Sequence, residues 1–237
     1  MEWCNGRPPK WIAFDAVGTL IFADPPVHLA YYRIGRKHGS QARPEEILHR
    51  FRAALARRAA ETPLDVAVAE AGQVAPRPRR QWERQFWRGV VDEVLPDAAD
   101  RDGCFEELFA HFAQPTAWQC FADVDEAFEE ALRRECRLAI ASNFDARLHA
   151  VCDGLEPLRN LERRVISSEV GARKPQPEFY QALLEACGCT AEELVFVGDD
   201  PENDVVAPRE LGIRSVHLDR SGAAQSAIQS LADLWAG

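Results

Sequence analysis

The chain has 237 residues, enough for one large domain or a domain with an insertion at about 150 residues per domain. Hydrophobic residues at 46% and charged residues at 28% exclude wholesale disorder. A net charge of −10 opposes a nucleic-acid partner, because phosphate backbones are held by a positive field.

No apolar run approaches the roughly 20 residues that cross a bilayer, so no membrane partner is expected. The segment Met1 to Lys10 lacks the apolar centre of a secretory signal and contains two prolines, and the expected location is cytoplasmic. The charge is uneven along the chain. Residues 22–113 hold 14 basic and 14 acidic side chains, while the remainder holds 14 and 24 and carries the whole excess. Two parts with different surfaces are expected from this. The seven cysteines (Cys4, Cys104, Cys120, Cys136, Cys152, Cys187 and Cys189) are scattered, without zinc spacing, and read as reduced and mostly buried thiols.

The first strong strand signal is Trp11-Ile12-Ala13-Phe14, stopped by Asp15 and followed by Gly18-Thr19. From about Val27 to Phe112 the pattern is helical. Trp82, Phe86, Trp87, Val90, Val91, Val94 and Leu95 recur at helical spacing, as do Phe105, Leu108, Phe109 and Phe112. Pro63, Pro76, Pro78, Pro96 and Pro115 punctuate this region, which predicts a helical bundle inserted after the first strand. Arg77, Arg79, Arg80, Arg84 and Arg88 lie between its aromatics and read as a solvated face.

After Thr116 helices and strands alternate. Asp125 to Glu135 reads as a helix, Leu138 to Ala141 as a strand ending at Ser142-Asn143, and Asp145 as a cap for the next helix. Val165-Ile166 is a short strand, and Pro177 starts a helix. Leu194 to Val197 is a strand ending at Gly198-Asp199-Asp200. A helix from about Asn203 to Leu211 closes at Gly212. Ser215 to Leu218 reads as the last strand and Ala224 to Trp235 as the last helix. Alternation of this kind predicts an α/β fold with a parallel, Rossmann-like sheet.

In such sheets ligands sit beyond the carboxyl ends of the strands. Here those ends carry Asp15, Ser142-Asn143 and Asp199-Asp200, with Lys174 shortly after the third strand. Lysine is scarce in this chain: only Lys10, Lys37 and Lys174. Carboxylates, a hydroxyl and an ammonium on one edge can bind a magnesium ion and a phosphate together, with one aspartate as nucleophile.

These residues resemble the haloacid dehalogenase-like superfamily. Its first motif, DxDxT, reads Asp15-Ala16-Val17-Gly18-Thr19; its second, a strand ending in Ser or Thr, reads Ile140-Ala141-Ser142-Asn143. Its third, a lysine often followed by proline, reads Arg173-Lys174-Pro175; its fourth, an acidic strand end, reads Gly198-Asp199-Asp200-Pro201-Glu202-Asn203-Asp204. The resemblance implies a Rossmann-like core from residues 1–21 and 114–237 and a helical cap from 22–113. It also implies the core strand order five-four-one-two-three, with the first strand central.

By the same resemblance, Asp15 is the nucleophile, supported by the Thr19 hydroxyl. Magnesium sits on Asp15, the Val17 carbonyl and Asp199. Ser142, Asn143 and Lys174 bind the substrate, Ser142 and Lys174 also being catalytic. Asp200 reads either as an outer support of the metal or as a solvated acid, and Asp204 as an outer support or a helix start. The partner implied is a small phosphorylated substrate. One position departs from the pattern. The superfamily's phosphatases carry a second aspartate where Val17 stands, and that aspartate protonates the leaving oxygen and later activates water. Three readings follow: a magnesium-dependent phosphatase-like hydrolase weakened by Val17, a carbon–halogen hydrolase, or a catalytically silent binding protein.

Overall fold

The apolar run Trp11–Phe14 forms strand β1, and all four of its side chains are buried. A parallel strand covered on both faces reads as a continuous apolar run, and this one does. The structure, a computed structural model, describes residues 8–61 and 79–235. The chain divides into two compact units, Met1–Phe22 with Gln119–Gly237, and Ala23–Trp118. The two passages between them run as β2 (Ile21–Ala23) and β3 (Trp118–Cys120), three-residue strands that pair with each other.

The unit Ala23–Trp118 is helical among its described residues: α1 (Val27–Lys37), α2 (Pro44–Glu61), α3 (Arg79–Val94) and α4 (Arg101–His111). Helix α1 buries Ala30, Tyr31 and Ile34, one stripe at helical spacing. It packs on α2 and α4, and α3 packs on the same two. Asp100 starts α4 by accepting the Gly103 amide at 2.9 Å. Arg88 donates to Asp102 at 2.6 Å and lies 4.6 Å from the centre of the Phe105 ring, and Arg84 pairs with Glu106. These two arginines are thus neutralised within their own unit. Pro63, Pro76, Arg77, Pro78 and Cys4 lie outside the described residues, as do the side chains of Arg79, Arg80 and Trp82.

The other unit continues with α5 (Val124–Arg133), β4 (Arg137–Ser142), α6 (Arg147–Gly154), β5 (Arg163–Ile166), α7 (Ser167–Val170), α8 (Pro177–Cys187), β6 (Leu194–Gly198), α9 (Ala207–Glu210) and β7 (Arg214–His217). Five parallel strands are ordered β5-β4-β1-β6-β7. Counted along the core strands alone, this is the expected order, with the first strand central. Small residues on one face (Ala13, Ala139 and Ala141) leave room for Phe179, Tyr180 and Leu183 of α8. On another helix, α5, Phe128 meets Phe14 with ring centres 5.3 Å apart.

Two expected helices differ from the sequence reading. Ala224 to Trp235 holds only a short 3₁₀ turn, Leu231–Trp235. Its amides are taken elsewhere: Asp219 accepts from the Ala224 amide, Ile228 pairs with Leu218, and Asp123 accepts from the Leu231 amide. Helix formation cannot compete once side chains and a strand edge have claimed those groups. The helix expected from Asn203 to Leu211 begins instead as a wide π-type turn, Pro201–Val206, and becomes regular only at α9. Pro208 explains the break, because it has no N–H to offer the carbonyl one turn before it. The cysteines read as expected: the six within the described residues are free. Burial pushes the Cys104, Cys136 and Cys152 thiols up to about 11.

Phe179 is fully buried between α8 and the sheet. Phe179→Ala is expected to lower stability by about 3–5 kcal/mol in urea unfolding. A loss under about 1 kcal/mol would contradict this packing.

Candidate active site

Strand β1 ends at Phe14, and the Asp15 amide donates to the Val197 carbonyl at 2.9 Å, fixing Asp15 beside the end of β6. The chain then turns sharply. The Leu20 and Ile21 amides both donate to the Ala16 carbonyl, and Gly18 donates to Ile21. Gly18 has a φ of +93°, and a Cβ there would sit 2.4 Å from Asp199 Oδ2. Glycine is therefore required twice, for the left-handed backbone and for the approach of Asp199. Gly198 makes similar room, since a Cβ on it would lie 2.2 Å from Asp204 Oδ2.

Asp15, Asp199 and Asp204 each present a carboxylate oxygen, and these atoms lie within 4.8 Å of one another. Asp15 and Asp204 are buried and Asp199 is exposed. Lys174, 3% exposed, donates to Asp15 Oδ1 and to Asp204 Oδ1, both at 2.7 Å. Burial alone would lower the lysine's pKa, but the two carboxylates more than offset that and hold it above its ordinary value. One lysine cannot balance three carboxylates. Loss of solvation, followed by repulsion from Asp15, pushes Asp199 up to about 6, although part of its side chain reaches solvent. Loss of solvation also raises Asp204, against the pull of Lys174.

The remaining expected residues fall into different roles. The buried Thr19 hydroxyl donates to Asp199 Oδ1 at 3.3 Å, so it steadies Asp199 rather than the expected nucleophile. Asn143, expected on the substrate, has both ends of its amide on the Lys174 backbone. Its Nδ2 donates to the Lys174 carbonyl at 2.9 Å, and its Oδ1 accepts the Lys174 amide at 2.8 Å. Asp200 caps the turn after β6, accepting from the Glu202 and Asn203 amides, each at 2.9 Å. Asp204, expected as an outer support or a helix start, stands in the acid group itself. Ser142 is 4% exposed at the end of β4, and its hydroxyl has no protein hydrogen bond among the described residues. Val17 bridges to Ile21 and is 40% exposed.

Arg220 and Asp123 were not visible as site residues in the sequence. Arg220 donates to the Thr19 carbonyl at 2.7 Å and to both oxygens of Asp123. Neither residue lies in a motif, and only the folded chain brings them to the turn after Asp15.

A parallel sheet with Asp15 and Asp199 at adjacent strand ends, and a buried lysine between Asp15 and Asp204, places an acidic site at the carboxyl edge of an α/β fold. The pattern of the family described as haloacid dehalogenase-like hydrolase matches residues 9–212. The chain belongs to this family. It is 27% identical over 221 residues to haloacid dehalogenase-like hydrolase domain-containing protein 3 of Danio rerio, covering 90% of this chain and 86% of that one. A phosphoserine phosphatase of Thermus thermophilus is 32% identical over 143 residues, 59% of this chain and 57% of its own. Among solved structures, a dehalogenase with an intermediate complex superposes with a TM-score of 0.69 at 21% identity, covering 97% of each chain. That likeness extends to the fold. No described helix is long and apolar enough to cross a membrane.

The raised Asp199 has a direct consequence for stability. Between the ordinary value of 3.8 and about 6, the folded chain holds a proton that the unfolded chain has lost. Stability therefore falls as pH rises through that window. In thermal unfolding without divalent cations, Asp199→Asn is expected to flatten this fall and to melt above the wild type at pH 7. Asparagine can still accept from Thr19, so the turn is preserved. An equal pH dependence in the two proteins would contradict a raised Asp199 carboxyl.

Proposed function

We propose that the chain is a magnesium-dependent phosphohydrolase that acts on a small phosphorylated compound through an aspartyl phosphate. The group Asp15, Asp199 and Asp204 carries this reading, because Lys174 pairs with only two of its three carboxylates. An all-oxygen donor set with excess negative charge suits a hard divalent cation. Asp15, the Val17 carbonyl and Asp199 would hold magnesium, with Asp204 alongside. When bound, the ion would neutralise charge on the acids and on the phosphoryl group.

Lys174 donates to Asp15 Oδ1, which keeps a second lone pair for the ion, and Oδ2 is the oxygen assigned to attack. That oxygen attacks phosphorus, the bond to the leaving oxygen breaks, and the electron pair departs with it. Water then attacks the phosphorus of the aspartyl phosphate, the bond from phosphorus to the Asp15 oxygen breaks with its electron pair returning to the carboxylate, and the water's proton leaves with inorganic phosphate, a step that Val17 does nothing to speed. Lys174 spends two of its three N–H bonds on Asp15 and Asp204, and the third is available to a phosphoryl oxygen, as is the Ser142 hydroxyl. Asn143 acts by holding the lysine's backbone. By the family resemblance, the helical insertion expected at 22–113 would act as a cap and select the substrate. The phosphoserine phosphatase relative supports phosphorus chemistry on a related sequence.

Val17 sets the substrate class. A leaving alkoxide needs a proton in the transition state, and general acid catalysis supplies about 10²–10⁴-fold. Valine donates none, so aryl or acyl phosphates, whose leaving groups are stable anions, are the favoured substrates. Carbon–halogen hydrolysis also needs no proton from this position.

The test is a rate series over leaving-group pKa for wild type, Val17→Asp and Asp15→Asn, with halide release measured in parallel. Wild type is expected to favour aryl over alkyl phosphates by about 10²–10⁴-fold. Val17→Asp should narrow that gap, and Asp15→Asn should be inactive. Because Val17 is 40% exposed, the new carboxylate need not be buried and folding should survive the change. Halide release without phosphate release would replace this reading with carbon–halogen hydrolysis. Neither release would leave the binding-protein reading.

A further inference from the structure

We infer that Arg220 is a positioning residue for the Gly18–Thr19 turn, holding the Thr19 carbonyl so that the Thr19 hydroxyl stays on Asp199. Its role in catalysis rests on the assignment of Asp15 and Asp199 in the proposed function; its role in the turn rests on the geometry alone. Residue 220 lies beyond the family match, which ends at 212, and in none of the four motifs.

The contacts form a chain from the acid group outward. Thr19 donates its hydroxyl to Asp199 Oδ1 at 3.3 Å. The Thr19 carbonyl accepts from Arg220 Nη2 at 2.7 Å. The same guanidinium is held on its far side by Asp123, with Nη1 to Oδ2 at 2.9 Å and Nη2 to Oδ1 at 3.0 Å. It lies 3.8 Å from the centre of the Phe121 ring, which in turn meets Phe22 at 4.8 Å.

Asp123 is itself fixed. Its Oδ2 also accepts from the Ser230 hydroxyl and the Leu231 amide, both at 2.8 Å. Burial raises its pKa, but Arg220 first, and then the Leu231 amide and the Ser230 hydroxyl, more than offset that and hold the carboxyl below its ordinary range. The planar fork of arginine is what allows one side chain to grip a carboxylate with two nitrogens and still reach a carbonyl. A lysine has a single nitrogen and cannot reproduce the paired grip. The Gly18–Thr19 turn has a left-handed glycine, so its backbone is free to adopt other conformations once released. A clamp on the next carbonyl restricts that freedom where Asp199 must be placed.

The experiment compares wild type, Arg220→Met, Arg220→Lys and Asp123→Asn. Methionine keeps an apolar stem against Phe121 and removes the hydrogen bonds. Two readouts are taken: amide hydrogen exchange of residues 16–21 relative to strand β4, and the dissociation constant for magnesium by calorimetry. Arg220→Met is expected to quicken exchange in residues 16–21 at least tenfold relative to β4, and to raise the magnesium dissociation constant by a similar factor. Arg220→Lys should recover part of both effects, and Asp123→Asn should shift both in the same direction as Arg220→Met.

Unchanged exchange in residues 16–21, or exchange quickened equally in β4, would overturn the inference, since a merely structural residue loosens the unit as a whole. Should Arg220→Met not fold, the same comparison is decided on Arg220→Lys and Asp123→Asn. If residues 16–21 loosen selectively but wild type takes up no magnesium, the magnesium reading fails and the positioning of the turn stands.

Discussion

Three carboxylates gathered around one buried ammonium form the constraint on which the rest of this site depends. Asp15 and Asp204 each hold Lys174 at 2.7 Å, and Asp199 completes the group with no ion pair among the described residues. Burial magnifies the imbalance, because charges removed from water interact more strongly and are individually costly. Perturbed carboxylates cluster at functional sites, and the charge and all-oxygen character of this group are what the proposed cation binding rests on.

The surrounding fold brings that arrangement about at short range. Parallel strands deliver Asp15 and Asp199 to adjacent ends, with β1 between β4 and β6. Gly18 and Gly198 remove the two Cβ atoms that would collide with Asp199 and Asp204. Pro208 interrupts the helix after β6, and the resulting wide turn contains Asp204. Asn143 grips the backbone of Lys174 from the end of β4. Thr19, Asn143 and Asp200 thus act as supports around the acids.

Much of this was legible in the chain before folding. Buried parallel strands are continuous apolar runs, and Trp11–Phe14 and Leu194–Gly198 stand out for that reason. Asp15 and Asp199 were legible because each follows an apolar strand run, and Lys174 because it is one of three lysines and stands before a proline after the third strand. The tasks of the supports were not legible. Whether Asn143 faces a substrate or the Lys174 backbone depends on a loop 31 residues away in sequence. Thr19 was expected to serve Asp15, but the turn at Gly18 brings Asp199 to its hydroxyl. The final helix failed for a related reason: its apolar spacing was adequate, but Asp123 and Asp219 had claimed its amides. Periodicity records which side chains are apolar and says nothing of distant carboxylates that compete for backbone donors.

The proposed function requires the acid group to take a divalent cation. Calorimetric titration of magnesium into wild type and Asp199→Ala tests it most directly. The account predicts one ion per chain in wild type and binding weakened at least about tenfold in the variant. Absence of binding to wild type, or equal affinity in the two proteins, would contradict it.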